Sequence, residues 1–99
     1  MSLLVRYTLA SPNSHDHQTD AMEALVSGLK SESIAGLNYS CFSTDNALEF
    51  IGILEFVDDT AKQGFLNSAA FAEYKGKVGP TFANPPQTSD ITAIASTRG

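Results

Sequence analysis

Tryptophan is absent from this 99-residue chain, and cysteine occurs once, as Cys41. A single thiol excludes an internal disulfide framework and any zinc site built from several cysteines. Positive charge is scarce: six Lys and Arg stand against eleven Asp and Glu, a net charge of -5. That argues against nucleic acid, whose binding needs clustered cations to release phosphate counterions. It argues equally against an anionic membrane surface. The longest apolar run, Phe50 to Leu54, falls far short of the ~20 residues that span a bilayer. Met1 to Ala10 alternates in character and lacks the small-residue cleavage site of a signal peptide. No Gly-rich phosphate loop or nucleophile elbow is present in the sequence. The expectation is a cytoplasmic protein with no cofactor and no metal.

What the chain does have is an ordinary globular composition, 42% hydrophobic and 17% charged, on a length that fits one domain over residues 1–99. Surface scaling lets such a chain bury roughly 64% of its unfolded surface, so its core is thin. Leu3 to Leu9 alternates with period two, which predicts a strand. Ser11-Pro12-Asn13-Ser14 breaks it, and Ser14 or Asp16 is placed to cap a helix. Met22, Leu25, Val26 and Leu29 then form one apolar helical stripe that closes near Lys30. Leu37 to Ser43 and Leu48 to Val57 alternate again around the polar turn Ser43-Thr44-Asp45-Asn46, a hairpin signature. A second helical region follows Asp58-Asp59-Thr60, with Thr60 and Gln63 at capping-box spacing. Asn67-Ser68 can restart or kink it, and Gly76, Gly79 and Pro80 end it. Thr81 to Ser89 reads as an extended linker, and Ile91 to Thr97 as the last strand.

The order β-α-β-β-α-β predicts a ferredoxin-like α+β protomer: a four-stranded antiparallel sheet with two helices on one face. The more apolar strand face (Leu3, Val5, Tyr7, Leu9, Phe50, Leu54, Phe56, Ile91, Ala93, Ala95) is expected under the helices. The other face still carries Leu4, Phe42, Ile51, Ile53 and Ile94, too much oil to leave wet. No spare helix remains to cover it, so a second copy packed face to face, a homodimer, is expected. Phe42, Ile51 and Ile53 would lie in that interface, with Arg6 paired to Glu49 or Glu55, within or across subunits.

Four segments carry a family resemblance: Gly36-Leu37-Asn38-Tyr39, Leu54-Glu55-Phe56-Val57-Asp58-Asp59, Phe65-Leu66-Asn67-Ser68-Ala69-Ala70-Phe71, and Pro85-Pro86. In these, and in element order over nearly its whole length, the chain resembles the antibiotic biosynthesis monooxygenase-like family. The resemblance implies a dimeric α+β barrel, and cofactor-independent oxygenation of a small aromatic, quinol- or phenol-like, substrate. Glu55 matches the family's strand-three glutamate. Two departures accompany the matches. The tryptophan common after that glutamate is replaced by Phe56 and Val57, and Phe65 stands where a histidine often precedes the helix serine, here Ser68. Both departures favour the alternative, a non-catalytic small-molecule binder on the same scaffold.

The candidate catalytic residues are His17, Tyr39, Asn67 and Tyr74, with Tyr7, Phe65 and Phe71 as pocket walls. A histidine overhanging a pocket can act as a base, tyrosine hydroxyls can orient a ligand, and asparagine amides can contact a carbonyl or dioxygen. His15 and His17 lack a third metal ligand, so a solvated helix start is their plainer reading. Cys41 has no cationic neighbour in sequence and is expected to pack as a small hydrophobe. Asn38 is a further amide candidate. Two other ferredoxin-like modules fit less well. An acylphosphatase needs a phosphate cradle that Arg6 has no Gly-rich partner to build, and an RNA-recognition domain needs basic charge on the open face.

Overall fold

The computed structural model describes residues 1–97; Arg98 and Gly99 lie outside the described residues. β1 (Ser2–Thr8) leads through a short 3-10 turn at Pro12–Ser14 into α1 (His15–Glu32). β2 (Leu37–Ser43) and β3 (Glu49–Phe56) form the hairpin, followed by α2 (Asp59–Leu66), α3 (Ala69–Val78) and β4 (Gln87–Ile91). The strands form one antiparallel sheet in the order β2-β3-β1-β4, the ferredoxin-like arrangement the element order predicts.

Period-two alternation sorts the side chains of this sheet. Val5, Tyr7, Phe50, Leu54 and Phe56 are buried under the helices, while Arg6 and Thr8 on the intervening positions are exposed. α1 buries Gln18, Ala21, Met22, Leu25 and Leu29 against them, the apolar stripe with one polar member. Gly28 permits a close crossing, since a Cβ there would stand 2.7 Å from the Cβ of Ala70 on α3. Gly52 serves the sheet similarly: a Cβ would come within 3.1 Å of Tyr39 Oη. Its bare backbone leaves room for the Tyr39 and Tyr7 rings.

The second helical region breaks at Asn67-Ser68. Asn67 closes α2, and Ser68 caps α3 by accepting the Phe71 N–H at 3.2 Å. Glu32 at the end of α1 reaches the same helix start, accepting from Ala69 and Ala70 N–H groups at 3.3 and 2.9 Å. A carboxylate there suits the positive helix end.

Several expectations are corrected. α2 is capped by Asp58, whose carboxylate accepts the Ala61 N–H at 2.9 Å, so the Thr60–Gln63 box is not used. Ser14 precedes α1 but makes no side-chain cap bond; Ser11 caps the 3-10 turn before it. Leu9 lies beyond β1 as an isolated bridge to Phe82. The last strand is Gln87–Ile91 and not Ile91–Thr97, and residues 92–97 form neither helix nor strand. The reason lies in register: Gln87 pairs with Arg6 and Ile91 with Ser2, where β1 begins. Past Ile91 there is no β1 strand left to pair with. That register also puts Ile91 beside Ser2 on the open face, where Ile91 and Ala93 line a shallow hollow with Phe42 and Ile53. Ile91 and Ala93 are therefore not under the helices; Ala95 is exposed. No helix among the described residues is long and apolar enough to cross a membrane.

Candidate functional site

Where the sheet meets α2, α3 and the segment after α3, the side chains leave a cavity of about 390 Å³. That lies within the ~300–1,000 Å³ typical of small-molecule sites. β1 supplies Val5 and Tyr7 and β3 supplies Leu54 and Phe56. α2 adds Phe65, and α3 adds Phe71, Tyr74 and Val78. Phe82 and Pro86, from the linker, close one side. The rings touch one another around this space: Phe65 and Phe71 lie 4.4 Å apart between centroids, and Tyr7 and Phe82 5.5 Å apart.

Tyr7 meets Tyr74 edge to face at 6.2 Å, and Tyr39 stands beside them over Gly52. Gln18, fully buried, donates from Nε2 to the Tyr74 hydroxyl at 2.8 Å. Gln18 Oε1 and Tyr39 Oη are buried with no hydrogen-bond partner among the described residues. Burial pushes all three phenols above their ordinary value, and the neighbouring phenols add to the rise at Tyr39 and Tyr74. The cluster is thus neutral at physiological pH, and its hydroxyls keep their protons.

Of the candidate residues, Tyr7, Phe65, Phe71 and Tyr74 line the cavity. Tyr39 does not, but it packs against Phe65 at 6.4 Å from behind. His17 is exposed, and its Nε2–H donates to the Lys77 carbonyl at 2.9 Å. His15 likewise donates from Nδ1 to the Ala47 carbonyl at 3.2 Å and stacks on Phe50. The two imidazoles fasten the start of α1 to its neighbours and do not line the cavity. Asn67 is exposed at the end of α2, outside the lining, and Asn38 donates to Glu55 at 2.9 Å on the open face. Arg6 lies 3.9 Å from Glu49 across that same face. Cys41 is half-buried, and burial together with nearby Glu23 pushes its thiol up. No group of three or more His, Cys, Asp or Glu able to hold a metal occurs among the described residues.

The sequence reading passed over Gln18, Lys62, Lys75 and Phe82. Gln18 had a signal, since it falls four residues before Met22 on the apolar stripe. A polar side chain at such a position needs a buried partner. Phe82 also had one, as a lone aromatic in a proline-rich linker.

The sequence matches no family model and no curated protein. Solved structures do match. A Caulobacter crescentus protein described as a candidate antibiotic biosynthesis monooxygenase superposes with a TM-score of 0.81 at 14% identity, covering 95% of this chain and 89% of that one. Another so described, from Nitrosomonas europaea, gives 0.79 at 12% identity over 96% and 100%. A Pseudomonas aeruginosa protein gives 0.78 at 20% identity over 95% and 93%. At these identities the likeness establishes the fold, and it is the fold of the antibiotic biosynthesis monooxygenase-like structures.

Proposed function

We propose, from that shared fold, that this protein takes a small aromatic molecule of the phenol or quinol class into the sheet–helix cavity and oxygenates it without a resident cofactor. The observation that supports the reading most is the cavity wall, where Phe56, Phe65, Phe71 and Phe82 surround the two phenols Tyr7 and Tyr74. A flat ring among them gains about 25 cal/mol per Å² of apolar surface removed from water, together with edge and offset contacts. The reaction class comes from the structural neighbours named for it.

The chemistry balances without an external reductant. A phenol and dioxygen give a quinone and water. The ring loses four electrons, which dioxygen takes up; one oxygen atom becomes the second carbonyl and the other leaves as water. The water's protons come from the phenol hydroxyl and the displaced ring hydrogen. Tyr74 Oη accepts from Gln18 and stands beside the Tyr7 hydroxyl, so the Tyr7–Tyr74 pair has a proton to offer an oxygen of the ligand. Tyr74 and Tyr7 act as the orienting donors, Phe65 and Phe71 as walls, and Tyr39 as a positioning residue behind Phe65. His17 and Asn67 drop out of this reading because neither lines the cavity.

A second reading, a non-catalytic binder, is favoured by one observation: no His, Asp or Glu is among the described residues that line the cavity. Nothing there takes a proton from the ligand. Oxygen uptake over a panel of phenols and hydroquinones, run beside a thermal-shift assay on the same panel, separates the two. Uptake above a heat-treated control, reduced in Tyr74→Phe, supports oxygenation. Melting shifts without uptake select the binder, and neither response removes both.

A cytoplasmic homodimer belongs to the same proposal. Phe42 and Ile91 are exposed, and Leu4, Ile51 and Ile53 half-exposed, on the sheet face without helices. The protomer exposes 6173 Å², against about 5,400 Å² expected for a monomer of this mass. Two such faces related by a two-fold axis cover each other. Sedimentation at micromolar concentration is expected to give a dimer, and Ile53→Asp a monomer. A wild-type monomer would remove the dimer and leave the cavity reading untouched.

A further inference from the structure

We propose that the cavity selects an aromatic acid: a ligand whose ring enters the floor while a group ionised at neutral pH, a carboxylate, stays at the rim. This rests on the cavity reading above and adds the charge of the ligand to it.

This acidic chain has few cations, and it places them selectively. Six Lys and Arg are present in all. Arg6 lies beside Glu49, and Lys77 pairs with Glu73 at 3.2 Å. Lys62 and Lys75 have no carboxylate within ion-pair distance among the described residues, and both line the cavity. No Asp or Glu joins them in the described lining. Asp58, one turn before Lys62, accepts the Ala61 N–H on Oδ1.

Burial separates the floor from the rim. The floor residues Val5, Tyr7, Leu54, Phe65 and Tyr74 are buried, whereas Leu66, Lys75 and Pro86 are exposed and make the rim. Lys75 Nζ sits 4.7 Å from the centroid of Phe71, a cation–π contact that keeps the charge beside a wall ring. Lys62 is half-buried among the lining residues, and a lysine so placed sends its head to water. An anion fully inside would meet an almost wholly apolar lining and would lose its hydration uncompensated. At the rim it keeps much of that hydration and faces two unpaired cations. A ring with one acidic group fits both halves; a neutral ring uses only the floor.

Exposed ion pairs are individually weak, so the two lysines together should favour the acid by about 3- to 10-fold over a neutral isostere. The test compares naphthalene-2-carboxylate with naphthalene-2-carboxamide by calorimetric titration of the full chain. Wild type, Lys62→Met/Lys75→Met and Lys62→Gln/Lys75→Gln are measured, with Lys30→Met as a control for net charge and circular dichroism as a check on folding. The acid is expected to bind more tightly than the amide to wild type and to Lys30→Met. That preference should shrink with added salt and vanish in whichever double variant is folded, while amide affinity holds. Equal binding of acid and amide, or a preference that survives both double variants, overturns the inference and leaves the cavity reading standing. Failure of both probes to bind overturns the cavity reading and this inference with it.

Discussion

Alkali should unfold this protein through its tyrosines. The chain has three, Tyr7, Tyr39 and Tyr74, and all three stand together beneath the helices. Burial raises each phenol above its ordinary value, most strongly for Tyr39 and Tyr74. A phenol whose pKa rises on folding holds its proton more tightly in the native state. Its contribution is therefore complete below the unfolded value of about 10 and is lost as the pH climbs above it. One unit above that value, each such group costs about 1.4 kcal/mol. Tyr39 and Tyr74, the two raised furthest, together remove about 3 kcal/mol, a large share of the ~5–15 kcal/mol that holds a domain. With no tryptophan in the chain, the phenolate band in the near ultraviolet is free of indole absorbance. Followed alongside far-ultraviolet circular dichroism, the two signals should change together, in one cooperative step above about pH 10. In urea the phenolate band alone should rise near its ordinary value. Three phenols ionising independently near that value while the helical signal persists would refute the reasoning, because it would mean that the cluster is open to water.

Other consequences follow from single contacts. Tyr74→Phe strands the Gln18 Nε2 donor beside an Oε1 that already lacks a partner; the expected cost is about 1–3 kcal/mol, read as a lower urea midpoint. Adding Gln18→Leu to it should recover part of that loss, since both polar partners are then gone; a further drop would show that the pair is not coupled. Ser68→Ala removes the α3 cap, with an expected cost of about 0.5–2 kcal/mol. At about 4–8 °C per kcal/mol for a chain of this size, a melting scan resolves the difference. Cys41, its thiol raised by burial, should alkylate at neutral pH more slowly than free cysteine, and at the free rate only when unfolded.

The strand faces and both helical regions were legible because period two and period 3.6 are written directly in β1, β3 and α1. The break at Ser68 was legible for an equally local reason, a capping residue directly after Asn67. What failed was decided by partners distant in sequence. Gln87-Thr88-Ser89-Asp90 has no apolar alternation, yet it is β4, because β1 offers it an edge and the register ends at Ser2. Ile91 to Thr97 has the alternation and no strand to pair with. The site divides likewise. Tyr7, Tyr74, Phe65 and Phe71 line the cavity. His17 and Asn67 were chosen for their chemistry alone, and the helix ends they occupy turn them to the backbone of α3 and to solvent. Lys62 and Lys75 were passed over because a surface lysine carries no sequence signal until a cavity opens beside it.

Phe65 bears on both the chemistry and the charge preference. Phe65 touches Phe71 at 4.4 Å and Phe56 at 6.1 Å and forms part of the cavity floor. A phenyl group there can neither accept nor donate a proton, and the phenols around it are held neutral by burial. A ligand that must be anionic to react with dioxygen therefore has to bring its own acidity. A carboxylate held at the lysine rim does not supply that anion, because its charge is localised off the ring; the rim sets which ligand binds, and the ring hydroxyl must lose its own proton. The chemistry and the charge preference are thus separable. Phe65→His would place an imidazole in the floor and is expected to leave the acid-over-amide preference in place, since Lys62 and Lys75 are untouched. If the variant takes up oxygen with neutral phenols faster than wild type, proton removal limits the wild-type reaction. If wild type already turns such phenols over at a comparable rate, the floor needs no base and this account of Phe65 is wrong.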